Sequence, residues 1–278
     1  MLRRVEGTVT SADGTRLAVR RVGAGDPVVL LHGTGGGLHS WAGVADLLAA
    51  DHRVWLVARR GYAPSDVPAG VNSFDREVAD VHAVLSAVGD EDGAPAHLVG
   101  ASYGATLALH AVRDAVPGHP QAARSLALYE PPLFASGPHL RPVLDRYREL
   151  LAAGDTGAAG LLFAERVSRV PLDVLASTRL PPPGPADSTA MLHDLEALAA
   201  DTDDMHRWSA VDLPVLLMQG ADTWDPMPAT MDRLAAVLPA VARVRWTGQS
   251  HFATSTDPAL VAGTLRRFWS GEAPCGSC

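Results

Sequence analysis

The sequence predicts an α/β protein built on a mostly parallel sheet, and three observations carry that expectation. Short continuous apolar runs recur along the 278 residues, the pattern of strands buried on both faces. Segments of helical periodicity stand between most of them, as in strand–helix–strand units feeding a parallel sheet. One stretch, residues 131–210, has helical periodicity and no convincing strand. It reads as a helical cap laid over one edge of the sheet.

The elements follow in order. Residues 7–22 alternate apolar and polar around Ala12-Asp13-Gly14, a β-hairpin pattern. Buried strands are expected at Pro27–Leu31, Arg53–Val57, Ala96–Val99, Ser125–Tyr129, Leu213–Met218 and Val241–Trp246. Helices are expected at Trp41–Ala50, Phe74–Val88, Tyr103–Val116, Met231–Leu238 and Pro258–Trp269. The division is thus a core of residues 1–130 and 211–270, a cap of 131–210 and a tail of 271–278. Within the cap, Pro181-Pro182-Pro183-Gly184-Pro185 marks a place for irregular backbone.

Composition narrows the chemistry. Hydrophobic residues make up 47% and charged residues 19%, with mean hydropathy +0.08, enough to build a sizeable core. The 23 basic and 31 acidic residues give a net charge of −8, which argues against nucleic acid or anionic lipid as the main partner. Every basic residue is arginine; there is no lysine, so Schiff-base, Walker-type and pyridoxal-phosphate lysine chemistry is excluded. Cys275 and Cys278 sit in the last four residues with no strand before them and no helix after, which disfavours a thioredoxin-like site. No signal peptide and no run of about 18 apolar residues is visible, so a soluble cytoplasmic protein is expected.

The most informative segment is Leu98-Val99-Gly100-Ala101-Ser102-Tyr103-Gly104-Ala105. A buried strand runs into G-x-S-x-G and a helical pattern follows at once. The two glycines allow a sharp turn that lifts the Ser102 hydroxyl above the sheet as a nucleophile. Leu31-His32-Gly33-Thr34-Gly35-Gly36-Gly37 follows an earlier strand and reads as an oxyanion loop. The backbone N–H of Thr34 and that of Tyr103 are the expected donors to a developing oxyanion. His251, in Gly248-Gln249-Ser250-His251-Phe252 after the last strand, is the candidate base. Three acids compete for the third place: Asp222, preferred, lies 29 residues before His251. Glu130, at the end of an earlier strand, is the alternative, and Asp225 comes third. Trp41, Trp224 and Phe252 are candidate walls of an apolar substrate pocket.

The order strand–His32-Gly33-Thr34-Gly35, then Gly100-x-Ser102-x-Gly104, then acid, then His251 resembles the α/β-hydrolase superfamily over about residues 7–270. Residues Ala58–Asp66 resemble that family's D-x-R-G-x-G-x-S loop, with Ala58 in place of the aspartate. Ala101 stands where relatives often carry histidine. Thr223 occupies the fourth position of the usual G-x-x-D acid loop, and in some branches the acid instead follows the preceding strand, where Glu130 stands. The resemblance implies an eight-stranded sheet, a cap inserted after the sixth strand, and catalysis with no metal or organic cofactor. A serine hydrolase of esters, lactones or thioesters is the first expectation, with a small-molecule substrate as partner. An acyl-transferring or cyclising enzyme, a C–C bond hydrolase, and a ligand-binding receptor on the same fold are its rivals.

Overall fold

The computed structural model describes residues 5–67, 69–113, 123–178 and 182–272. A hairpin opens the chain: β1 (Val5–Thr10) pairs antiparallel with β2 (Arg16–Gly23) across the turn at Gly14. Next come β3 (Asp26–Leu31), α1 (Ala42–Leu48), β4 (His52–Val57), α2 (Phe74–Asp92), β5 (His97–Ala101), α3 (Tyr103–Arg113) and β6 (Ser125–Tyr129). Together with β7 (Val215–Gly220) and β8 (Val241–Trp246) the strands form one sheet in the order β1-β2-β4-β3-β5-β6-β7-β8. Strands β3 to β8 are parallel; β2 runs against both its neighbours.

The period-2 alternation of a strand explains why these runs are apolar throughout. Val29 and Leu31 of β3 face a core layer shared with α2 and α3, while Val28 and Leu30 face the opposite layer, beside α1. Helix α2 begins where Ser73 caps it by accepting from the Arg76 N–H, and ends at Gly93 in the left-handed conformation. Several boundaries differ from the sequence expectation by one to four residues, and two of them turn on proline. Strand β7 starts at Val215 because Pro214 has no N–H to give; only its carbonyl is used, accepting from Leu126. Helix α8 spans Met227–Val237, starting four residues earlier than its periodicity suggested, since proline is tolerated in a helix's first turn.

Between β6 and β7 the described residues form helices only: α4 (Arg141–Ala152), α5 (Thr156–Arg166), α6 (Leu172–Thr178) and α7 (Pro185–Ala200), with short 3-10 turns. Helix α7 packs against α4 and α5 and buries His193, Asp194 and Glu196 along with Leu195 and Leu198. It therefore shows no clean apolar stripe. After α8 and β8, a short helix α9 (Ala253–Thr256) and α10 (Pro258–Trp269) close the chain. The start of the triple proline, the end of the segment expected as helix to Val116, and both cysteines lie outside the described residues. No helix among the described residues is long and apolar enough to cross a membrane.

Because β3 and β5 to β8 are parallel, their C-terminal ends lie along one edge of the sheet. Thr34, Ser102, Glu130, Thr223 and His251 all follow these ends, which is how residues far apart in sequence gather.

Candidate active site

The turn from β5 to α3 is made by steric exclusion. A Cβ on Gly100 would lie 2.3 Å from the Gly104 carbonyl oxygen, and one on Gly104 would lie 2.5 Å from the carbonyl oxygens of both Leu31 and His32. Only glycine permits that approach. Ser102 sits between them at φ +54, a left-handed conformation costly for a side chain. Its N–H is held by the Tyr129 carbonyl at 2.8 Å, and its carbonyl receives the Ala105 and Thr106 N–H groups at the start of α3. The loop after β3 presses on this turn: a Cβ on Gly33 would meet that of Ser102 at 2.9 Å.

His251 follows β8, and its Nδ1 lies 2.5 Å from Oε2 of Glu130. Glu130 is wholly buried and, like Ser102, adopts a positive φ, +45. Its Oε1 accepts the Gly220 N–H at 2.8 Å and its Oε2 accepts the Thr223 hydroxyl at 3.0 Å. The preference for Asp222 is therefore corrected. Asp222 is exposed and its backbone N–H turns to the Gln249 carbonyl; Asp225 is exposed as well. The physical reason lies in Thr223. At the position where the resembling loop would carry an acid, this chain places a hydroxyl, and that hydroxyl holds the carboxylate arriving from β6.

Ser102, Thr34, Tyr103 and His251 open on one cavity of about 250 Å³ between the sheet edge and the helical insertion. Phe163, Val167, Met191 and Leu198 of the insertion line it from above, with Trp224 and Phe252 at the side. No Asp, Glu or Arg among the described residues lines it. The Trp224 indole donates to the Ser168 carbonyl at 3.0 Å, tying the loop after β7 to the insertion. Trp41 is not in this cavity: it is buried in the core beside Val28 and Leu30, with its indole N–H on the Leu31 carbonyl at 3.1 Å. An aromatic next to a glycine loop has the same sequence signature whether it points to the cavity or into the core.

Behind the cavity lies a buried charge cluster that sequence reasoning missed. The Arg59 guanidinium, 2% exposed, grips both oxygens of Asp194 at 2.9 Å each and Oε2 of Glu77 at 2.8 Å. Asp194 also accepts the hydroxyls of Thr34 and Tyr62, both at 2.7 Å. Glu77 accepts the Tyr103 hydroxyl at 2.6 Å and the Asn72 side-chain amide at 2.7 Å. Burial drives both phenols well above their usual pKa, and the adjoining carboxylates push the same way, so each remains a donor. Burial also raises Glu77, against the pull of Arg59. Burial alone would lower Arg59, but the two carboxylates outweigh it and hold the guanidinium charged. His32, pushed well below its usual value by burial and by Arg59, stays neutral; its Nε2 accepts the Arg59 backbone N–H at 3.1 Å. Arg59 lay within the loop that the sequence singled out, but Asp194, in the helical run Leu192-His193-Asp194-Leu195, had no local signal.

Among the described residues no group of three or more His, Cys, Asp or Glu is placed to hold a metal ion. The sequence profile of the alpha/beta hydrolase family matches residues 28–264. The protein named for carbamate hydrolysis in Azorhizobium caulinodans, RutD, is 36% identical over 133 residues, 48% of this chain and 47% of that protein. A 2-hydroxymuconate semialdehyde hydrolase of Pseudomonas sp. strain CF600 is 37% identical over 123 residues, 42% of this chain and 40% of that one. The matches thus span less than half the length of these relatives. The crystal structure of an alpha/beta hydrolase from Sphaerobacter thermophilus superposes with a TM-score of 0.80 at 29% identity, covering 95% of this chain and all of that one. The enol-lactonase of Burkholderia xenovorans shares the fold, with a TM-score of 0.75 at 19% identity over 95% of this chain and all of its own.

Proposed function

The chain belongs to the alpha/beta hydrolase family, and from that premise we propose that it is a serine hydrolase of carboxylic esters, lactones or thioesters of small apolar molecules. One observation carries the reading: Ser102 and His251 share an apolar cavity while the buried Glu130 holds the far side of the imidazole. Glu130 fixes the tautomer with the proton on Nδ1, leaving Nε2 as the base. His251 takes the Ser102 proton as the oxygen attacks the acyl carbon. The carbonyl oxygen becomes an oxyanion between the Thr34 and Tyr103 N–H groups, where fixed donors act without reorganising. His251 then returns its proton to the leaving group. Water, activated by the same imidazole, releases the acid from Ser102. The helices between β6 and β7 serve as the cap that selects the acyl group.

The nucleophile also separates this chain from a relative by name. A fluoroacetate dehalogenase of a Burkholderia species matches 39% of the chain at 34% identity, but displacement of a halide in this fold calls for a carboxylate at the elbow, where this chain has Ser102. Among the described residues the cavity lining holds no Asp, Glu or Arg, which favours acyl groups without charge, since an ion moved beside these side chains would lose its hydration unpaired.

A fluorophosphonate probe should label wild type and leave Ser102→Ala untouched. Turnover of a panel of nitrophenyl esters, lactones and acyl thioesters should fall by about 10⁶ in that variant. Labelling that survives the substitution sinks the assignment.

A further inference from the structure

The two residues given to the oxyanion hole are anchored in the same way, and that coincidence points beyond the reaction itself. The Thr34 hydroxyl donates to Asp194, the Tyr103 hydroxyl donates to Glu77, and one guanidinium, Arg59, joins the two carboxylates. The cluster grips the rest of the loop too. Arg59 Nε donates to the His32 carbonyl at 3.0 Å, and the Gly35 N–H donates to the Tyr62 hydroxyl, which itself donates to Asp194. Arg59 lies over the Tyr103 ring, 4.3 Å from its centroid. Three parts of the chain thus meet at one buried cation: α2 through Glu77, the loop after β4 through Arg59, and α7 of the helical insertion through Asp194.

We infer that the Arg59–Glu77–Asp194 cluster is the positioning element of the oxyanion hole, and that the hole is complete only while α7 is seated on the core. The inference rests on the reading of Thr34 and Tyr103 as the two donors. A buried ion pair is a poor source of stability, because desolvation offsets most of its attraction. What it supplies here is geometry. Rotation of the Thr34 backbone would break a hydrogen bond to a carboxylate that a bidentate guanidinium already fixes. The spacing of the two N–H groups is therefore set by side chains that never touch the substrate. The insertion does more than roof the cavity: Asp194 makes the insertion part of the catalytic framework. These are positioning residues, and their loss should be felt in the transition state more than in substrate binding.

The test compares Thr34→Val, Tyr103→Phe and Asp194→Asn with wild type on a short nitrophenyl ester. It also measures binding of a trifluoromethyl ketone, whose adduct on Ser102 carries an oxyanion. Each variant should lose about 10- to 100-fold in kcat with KM changed by less than about twofold, and affinity for the ketone should fall in step with kcat/KM. Thr34→Ser, which keeps the hydroxyl, should restore most of the rate. Combining Asp194→Asn with Thr34→Val should cost less than the sum of the single losses, because both cut the same link. Should Asp194→Asn fail to fold, Thr34→Val and Tyr103→Phe each lose a single hydroxyl contact and still decide the matter. If kcat survives in active, folded variants, or if KM alone rises, the cluster is only structural and the inference is overturned. Wild-type protein inert toward every ester would sink the hydrolase reading itself, and this inference with it.

Discussion

Two buried carboxylates about the same cavity have opposite surroundings. Glu130 and Asp194 are 0% and 1% exposed, and each accepts several hydrogen bonds. The donors to Glu130 are a backbone N–H, a threonine hydroxyl and an imidazole. None carries a permanent charge. Asp194 receives a bidentate guanidinium and two hydroxyls. The difference teaches which carboxylate can take part in proton chemistry. On the proposed reading, Glu130 meets a charged partner only when His251 becomes an imidazolium, and it stabilises that cation as it forms. The charge on Asp194 is cancelled in advance, and what remains to it is the holding of position.

The largest expected effect breaks the comparison at Glu130. Glu130→Gln should lower kcat by about 10³–10⁴ with little change in melting temperature, since the shape and most hydrogen bonds survive. Asp222→Asn, altering an exposed group, should change kcat by less than about threefold. The reverse pattern in steady-state kinetics would return the acid role to Asp222. A different observable breaks the other carboxylate. Arg59→Met leaves Asp194 and Glu77 buried without their cation and should cost about 3–5 kcal/mol of stability in urea unfolding. A loss under about 1 kcal/mol would show that hydroxyl donors alone satisfy the two acids.

Legibility in the sequence followed the range over which each signal acts. The strands and the turn at Ser102 were readable because each is set by neighbours in the chain. Gly100 and Gly104 bracket Ser102, and the apolar runs alternate between two core layers. The acid was not settled because its choice depends on which of two strand ends reaches the imidazole, a question of sheet order. The clue was present in Thr223, a hydroxyl where the resembling loop carries an acid, but a missing acid does not say where its replacement stands. Trp41 failed as a cavity residue because burial in the core and lining of a pocket call for the same side chain. Asp194 was invisible for the strongest reason: its partners Thr34 and Arg59 lie 160 and 135 residues away.

A more modest effect than that at Glu130 tests the acid's placement by a change of sign. Thr223 Oγ1 lies 3.0 Å from Glu130 Oε2, the same oxygen that meets His251 Nδ1 at 2.5 Å. A carboxylate introduced by Thr223→Asp would arrive beside one already there. Two like charges in a buried site repel, one of them takes up a proton, and the pair loses its hold on the imidazole. In the otherwise unaltered chain, Thr223→Asp should therefore lower kcat by about tenfold. In the Glu130→Gln background the same substitution meets a neutral amide and supplies the missing anion from the adjoining strand end. There it should raise kcat, by about tenfold over Glu130→Gln alone. Steady-state rates of the four proteins form a double-mutant cycle, and the effect of Thr223→Asp must change sign between the two backgrounds for Glu130 to be the acid. Thr223→Asp lowering the rate in both backgrounds would mean that the position matters through its hydroxyl alone.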